Sequence, residues 1–227
     1  MMNKQPAVNR LTIIAGIFIT CLVVSNIIAV KLINIFSLII PAAVIIFPIS
    51  YIAGDVLTEV YGYKVSRRVI WLGFVCNLIA VIAIWIGQVL PGATFWDAQE
   101  SYARILGFTP RLLVASFMAY LLGEFANSFV LAKLKIATGG RWLWMRTILS
   151  TLVGQGLDSA MFMTVAFAGV IPSDGLLNAV ITQWLFKTAY EILATPLTYA
   201  VVNHLKKTEG LDIYDRDTNF NPLALAE

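Results

Sequence analysis

FPISYIAGDVLTEVYG (residues 47–62) decides how the whole chain is read, because three polar groups, Asp55, Thr58 and Glu59, end a strongly apolar run. In lipid or in a dry core an unpaired carboxylate costs about 2.5 to 3.5 kcal/mol even on insertion scales. These groups therefore need partners or a task. The chain around them has 227 residues, 59% hydrophobic and 13% charged, with a mean hydropathy of +0.81. That is far too apolar for a water-soluble domain of this length, and the chain reads as an all-α integral membrane protein.

A helix needs about 20 apolar residues to cross a bilayer core. Six stretches qualify, over residues 11–30, 35–54, 69–90, 111–131, 147–171 and 176–202. They predict one six-helix transmembrane domain over 11–203, between an N-terminal segment, 1–10, and a C-terminal tail, 204–227. The second span is irregular, since Pro41 and Pro48 each lack a backbone donor and push the preceding residue out of helical geometry. It is expected to kink beside a cavity and to continue past Gly54 toward Tyr61. The first run lacks an Ala-x-Ala cleavage site and is expected to be a retained helix rather than a signal peptide.

Basic residues set the orientation. Lys4 and Arg10, then Lys64, Arg67 and Arg68, then Lys133, Lys135, Arg141 and Arg146, then Lys206 and Lys207 all fall on one side of a six-span arrangement. Both termini are thus expected in the cytoplasm. The net charge of +3 is small and sits in these loops, which argues against a nucleic-acid partner. Residues 91–110 suggest a short interfacial helix, with Trp96 and Tyr102 at headgroup level, serving as a lid, a rim or a plain connection. The polar tail is expected to be an extended cytoplasmic segment, and its DIYDRDTNF lacks EF-hand spacing. Cys21 and Cys76 lie in apolar runs as packing residues, and the single histidine, His204, leaves no His-rich metal site or His-dependent triad. No cofactor is expected.

Side chains three and four apart share a helix face. The second span carries Tyr51, Asp55, Thr58 and Glu59; the fourth Ser116, Tyr120, Glu124 and Asn127; the fifth Thr151, Gln155, Asp158 and Ser159; the sixth Gln183, Lys187, Tyr190 and Glu191. Pointing the four faces at one another shelters them all and makes an internal polar site. A purely structural reading competes with it. Lys187 could neutralise Glu191, Asp55 or Asp158 and simply lock helices together. Glu59 could anchor Arg67 or Arg68, while Asn26 and Asn77 read as interhelical hydrogen bonders. Tyr120, Phe125, Phe162, Trp184 and Tyr190 are deep enough to stack on a planar ligand, or simply to pack.

Catalysis finds little support. AGD at 53–55 falls one residue short of the Gly-x-Gly-Asp pattern of intramembrane aspartyl proteases, and in GQGLD at 154–158 the acid comes one residue late. No nucleophile elbow, zinc motif or phosphate loop occurs in the sequence. An enzyme is thus a weak alternative, and a purely structural subunit explains the helices but not the polar centre.

Four segments, FPISYIAGDVLTEVYGYKVSRRVIW (47–71), SFMAYLLGEFANSFVLAKLK (116–135), RTILSTLVGQGLDSAMF (146–162) and LFKTAYEILATPLTYAVVNHLKK (185–207), resemble the bacterial queuosine precursor transporters, also called vitamin uptake transporters. The resemblance runs over residues 8–221. It implies import of 7-cyano-7-deazaguanine and 7-aminomethyl-7-deazaguanine across the bacterial inner membrane. It also implies a six-helix fold similar to the substrate-binding subunits of energy-coupling-factor transporters, working without their ATPase module. On that expectation Glu124 or Asp158 accepts the N1-H and 2-amino donors of the deazaguanine, and Gln155, Asn127 or Lys187 donates to O6. Tyr120, Phe162 or Trp184 covers the flat face, and Asp55, Glu59 and Glu191 are candidates for coupling or gating. Proton coupling through Asp55, Glu124, Asp158 or Glu191 and facilitated diffusion both remain open at this point.

Overall fold

The computed structural model describes residues 5–35, 38–107, 110–170 and 172–224. Lys4, Phe36, Ser37, the step at 108–109 and Ile171, all used in the sequence reading, lie outside them. The elements run α1 (Gln5–Ile28), β1 (Leu32–Ile35), β2 (Leu38–Pro41), a 3-10 turn (Ala42–Ile45), α2 (Phe47–Tyr61), α3 (Tyr63–Val89), α4 (Gln99–Leu106), α5 (Pro110–Ala137), α6 (Leu143–Phe167) and α7 (Ser173–Glu209). Among the described residues, four helices, α1, α3, α5 and α6, are long and apolar enough to cross a membrane. The chain is an α-helical, multi-pass membrane protein. Its outward faces carry large apolar side chains such as Ile79, Trp85, Leu193 and Leu197, as a lipid-facing surface requires.

The second expected span needs correction. Residues 35–54 do not form one kinked helix: β1 and β2 pair antiparallel, with Ile33 opposite Ile40 and Asn34 opposite Ile39. The physical reason lies in the sequence, where β-branched isoleucines favour an extended backbone and Pro41 cannot donate within a helix. The hairpin pairs the facing edges of its two strands, and Ala42 N–H closes it by donating to the Lys31 carbonyl at 2.7 Å. Non-helical backbone is tolerated at membrane depth only against protein or a cavity, and Ala42 and Ala43 are buried. Pro48 falls in the first turn of α2, where its missing donor costs nothing.

Close approach of α5 to α6 builds the centre of the molecule. A Cβ on Gly154 would sit 2.7 Å from the Cβ of Asn127, and one on Gly123 would sit 2.8 Å from the Cβ of Asp158. Only glycine permits this spacing. The two polar faces read from the sequence are thereby pressed against each other, with α7 closing over α6 through the Trp184 indole N–H, which donates to the Leu152 carbonyl at 2.9 Å.

A short helix is present within 91–110 as α4, whose Tyr102 hydroxyl donates to the Ile84 carbonyl of α3 at 3.2 Å. The tail differs from expectation. Its residues 204–209 complete α7, and 210–224, without helix or strand, fold back across the ends of the helices instead of extending away, with Asp215 buried among them.

Candidate functional site

A cavity of about 860 Å³ lies between α1, α2, α5, α6 and α7, within the size range of small-molecule sites. Its wall is mostly apolar. Polar groups converge from every helix around it, among them Asn26 from α1, Tyr51 from α2, Glu124 from α5, Gln155 and Asp158 from α6, and Lys187 and Tyr190 from α7. Phe162 and Tyr120 contribute ring surface to the same wall.

Neighbours hold several of these groups in place. The Tyr51 hydroxyl donates to Gln155 Oε1 at 3.2 Å, which leaves the amide NH2 of Gln155 as a donor for the cavity. Lys187 is ion-paired with Asp158, and both side chains remain partly open, at 16% and 20% exposure. The Tyr120 hydroxyl is turned away, donating to the Ile70 carbonyl at 2.9 Å. Asn26 donates to Asn77 Oδ1 at 3.0 Å, the interhelical bond expected of that pair, while Asn26 also borders the cavity. Glu124 Oε2 lies 3.5 Å from where a Cβ on Gly54 would be, so the carboxylate sits against bare α2 backbone.

Beneath the cavity the polar column continues. Asp55 and Glu191 are each 1% exposed, and each carries one carboxylate oxygen without a hydrogen-bond partner, Asp55 Oδ2 and Glu191 Oε2. Asp55 Oδ1 accepts from Asn127 Nδ2 at 3.0 Å. One turn further, the hydroxyls of Thr58, Ser66 and Ser128 form a closed triangle with sides of 3.0 to 3.1 Å. Below that lies an ionic knot in which Glu59, fully buried, is gripped by Arg146 and accepts from Lys206 at 2.6 Å, with Lys135 at 3.7 Å.

A family described as "Putative vitamin uptake transporter" matches residues 41–201. The chain belongs to this family. It is a membrane transporter, not an enzyme. A relative named "Probable queuosine precursor transporter" in Bacillus subtilis (strain 168) is 30% identical over 189 residues, covering 82% of each chain. The "Queuosine precursor transporter" of Escherichia coli (strain K12) is 26% identical over 168 residues, covering 71% of this chain and 72% of its own. A third, "Probable queuosine precursor transporter" in Haemophilus influenzae, is 26% identical over 159 residues, 69% of this chain and 65% of its own. No solved structure matches the chain.

Against this family membership the sequence-derived residues sort clearly. Tyr120, Glu124, Gln155, Asp158, Phe162 and Lys187 do come together on one cavity wall. Asn127 and Trp184 do not line it: the first turns to Asp55, and the second packs over Gly156 with its N–H spent on Leu152. Of the open pairings for Lys187, Asp158 is the partner found. Glu59 binds Arg146, Lys135 and Lys206 rather than Arg67 or Arg68. Asn178, Thr182 and Ser50 also line the cavity and were not singled out, although Asn178 and Thr182, four apart on α7 and hydrogen-bonded to each other, extend the Gln183–Lys187 face by the same helical spacing.

Proposed function

We propose that this protein imports 7-deazaguanine precursors of queuosine, 7-cyano-7-deazaguanine and its 7-aminomethyl relative, across the bacterial inner membrane. The names of its relatives point to this cargo. The observation that carries the reading on the chain itself is the pairing of an acceptor and an oriented donor on one wall: the Glu124 carboxylate, and the Gln155 amide fixed by Tyr51. A guanine-type edge offers two adjacent donors, N1-H and the 2-amino group, beside the O6 acceptor. Glu124 accepts from the donors, Gln155 donates to O6, and Phe162 and Tyr120 supply flat apolar surface. The Lys187–Asp158 pair lies alongside as a further donor and acceptor. Asn127 and Trp184 support this wall from behind.

Six spans serve the reading best: α1, the β1–β2 hairpin with α2, α3, α5, α6 and α7. At 37 residues α7 measures about 55 Å at a rise of 1.5 Å per residue, long enough to cross despite its polar residues. Glu191, Thr188 and Thr195 of α7 are buried against protein. Arg146, Lys135 and Lys206 meet in one knot, which supports placing their loops, and both termini, on the cytoplasmic side. A likeness to the substrate-binding subunits of energy-coupling-factor transporters, acting without an ATPase module, is what the family resemblance implies. Transport is driven by a proton that binds at Asp55 or Glu191, the two acids below the cavity whose free oxygens have no partner.

The test is queuosine in tRNA, in bacteria that cannot make the precursor and lack their own importer, at nanomolar supplied 7-cyano-7-deazaguanine. Queuosine that depends on this protein supports import. Its absence with the protein inserted in the membrane, for each precursor tried, sinks the substrate assignment and returns the cavity to a vitamin or another heterocycle.

A further inference from the structure

The segment after α7 is tied by side-chain and backbone contacts to four of the helices. Gly210, in the left-handed conformation at φ 64°, ends α7 and turns the chain back. Residues 211–222 then cross the ends of α2, α3, α5 and α7. Ile213 N–H donates to the Val60 carbonyl of α2. The buried Asp215 accepts from the Tyr63 backbone N–H, the first residue of α3, at 2.9 Å. Further along α3, Arg67 donates to the carbonyls of Asn219 and Asn221, both at 2.8 Å, and the Trp71 indole N–H donates to the Pro222 carbonyl at 2.8 Å. From α5, Lys135 donates to the Ile213 carbonyl at 2.6 Å, and the Lys133 ammonium lies 3.9 Å from the centroid of the Phe220 ring. Asp212 binds Lys135 at 2.6 Å and Lys206 of α7 at 2.9 Å, joining the tail to the Glu59 knot and through it to Arg146 of α6.

The seat of this segment is shaped for it. Gly62, at φ 84°, separates α2 from α3, and a Cβ there would lie 2.8 Å from Ile213 Cγ2. Any side chain at that corner would lift the tail. Between the tail and the cavity stand the knot and the Thr58–Ser66–Ser128 triangle, each of these residues at most 1% exposed apart from Lys206. The cavity is therefore shut on the tail side and bordered on the other by Ala29, Phe167, Gly175 and Asn178 near the opposite helix ends.

We propose that residues 211–222 are a latch on the tail-side gate: docked, they clamp the α2–α3 corner to α5, α6 and α7, and release of the latch precedes opening of the cavity to that side. A segment with no helix or strand of its own can undock as a unit while the helices it rests on stay packed. This inference goes beyond the substrate assignment and does not depend on it.

The test needs no substrate. In the full chain, with Cys21 and Cys76 replaced by alanine, Ser128→Cys places a thiol in the sealed triangle. A membrane-impermeant maleimide is applied to proteoliposomes oriented tail outward. Asp215→Asn and, separately, Ile213→Ala should each speed labelling about tenfold, the population shift expected from losing one charge-assisted bond or one apolar seat. Labelling from the opposite face should keep its rate. Equal tail-side rates in both variants and the parent would overturn the latch, and so would acceleration from both faces alike, which marks general loosening of the fold.

Discussion

The ammonium of Lys187 on α7 is paired with the carboxylate of Asp158 on α6, and with Glu124 these make up the charged groups on the cavity wall. Pairing makes each tolerable at membrane depth and keeps both at the surface of the site. Removing one partner leaves the other uncompensated, whereas removing both does not. Lys187→Met should therefore lower the melting temperature more than the Lys187→Met, Asp158→Asn double variant does, with a coupling energy of about 1 to 3 kcal/mol. Thermal melts of the four proteins in one detergent decide it, and strictly additive losses would count against a working pair.

Glu124 has no counterpart of that kind, so its role is read through the ligand. Glu124→Gln keeps shape and replaces half of the acceptor with a donor that faces the ligand's own N–H groups. Precursor-dependent uptake should fall at least about tenfold, because a mismatched buried hydrogen-bonding group costs far more than lost apolar contact. Uptake at the wild-type level by correctly inserted Glu124→Gln and Asp158→Asn would remove the site assignment.

Asp55 and Glu191 sit below the wall with unpartnered oxygens and do not line the cavity. Asp55→Asn and Glu191→Gln should spare exchange of labelled for unlabelled precursor across proteoliposomes while abolishing accumulation driven by an imposed proton gradient. Wild-type accumulation that ignores collapse of the gradient would leave facilitated diffusion as the mechanism.

The Gly123–Gly154 contact sets the spacing of the whole site. Gly154→Ala drives a methyl into the Cβ of Asn127, and overpacking of this kind costs about 1 to 3 kcal/mol. Loss of stability and of uptake together is the expected result, measured by melting temperature and transport on the same preparation; a stable Gly154→Ala protein with full uptake would mean that α5 and α6 separate without consequence.

Much of the site was legible in the sequence because side chains three and four apart mark a helix face, and four such faces must hide from lipid somewhere. That argument found Glu124, Gln155, Asp158 and Lys187. It could not separate the wall from what lies behind it: Asn127 shares its stripe with Glu124, Trp184 is one of several deep aromatics, and a modest rotation of the helix decides which bond each makes. The hairpin escaped because a continuous apolar run carries no periodicity to tell helix from strand. The docked tail escaped for a different reason, since Arg67, Trp71 and Tyr63 bind its backbone, and carbonyls leave no trace in a sequence.

Acidity offers a check on the tail. Burial pushes the Asp212 carboxyl up, but hydrogen bonds and charge from Lys135 and Lys206 outweigh it and hold the group below its ordinary range. A depressed carboxylate contributes stability above its unfolded value, about 3.9, and loses it as pH falls through the folded one. A nitroxide at Leu223→Cys, in the background lacking the two native cysteines, should keep the same mobility from neutral pH down to about 5 and become mobile only below about 4. Mobilisation already near neutrality would show that Asp212 does not hold the tail.

The central claim is that the cavity reads a guanine-type edge with Glu124 and an amide fixed by Tyr51. Direct titration of the purified full chain with 7-cyano-7-deazaguanine, beside an analogue lacking the 2-amino group, tests it most simply. Saturable binding of the first, at least about tenfold weaker binding of the second, and loss of that preference in Glu124→Gln is the expected result. No binding by the wild-type protein, or equal affinity for both compounds, would contradict it.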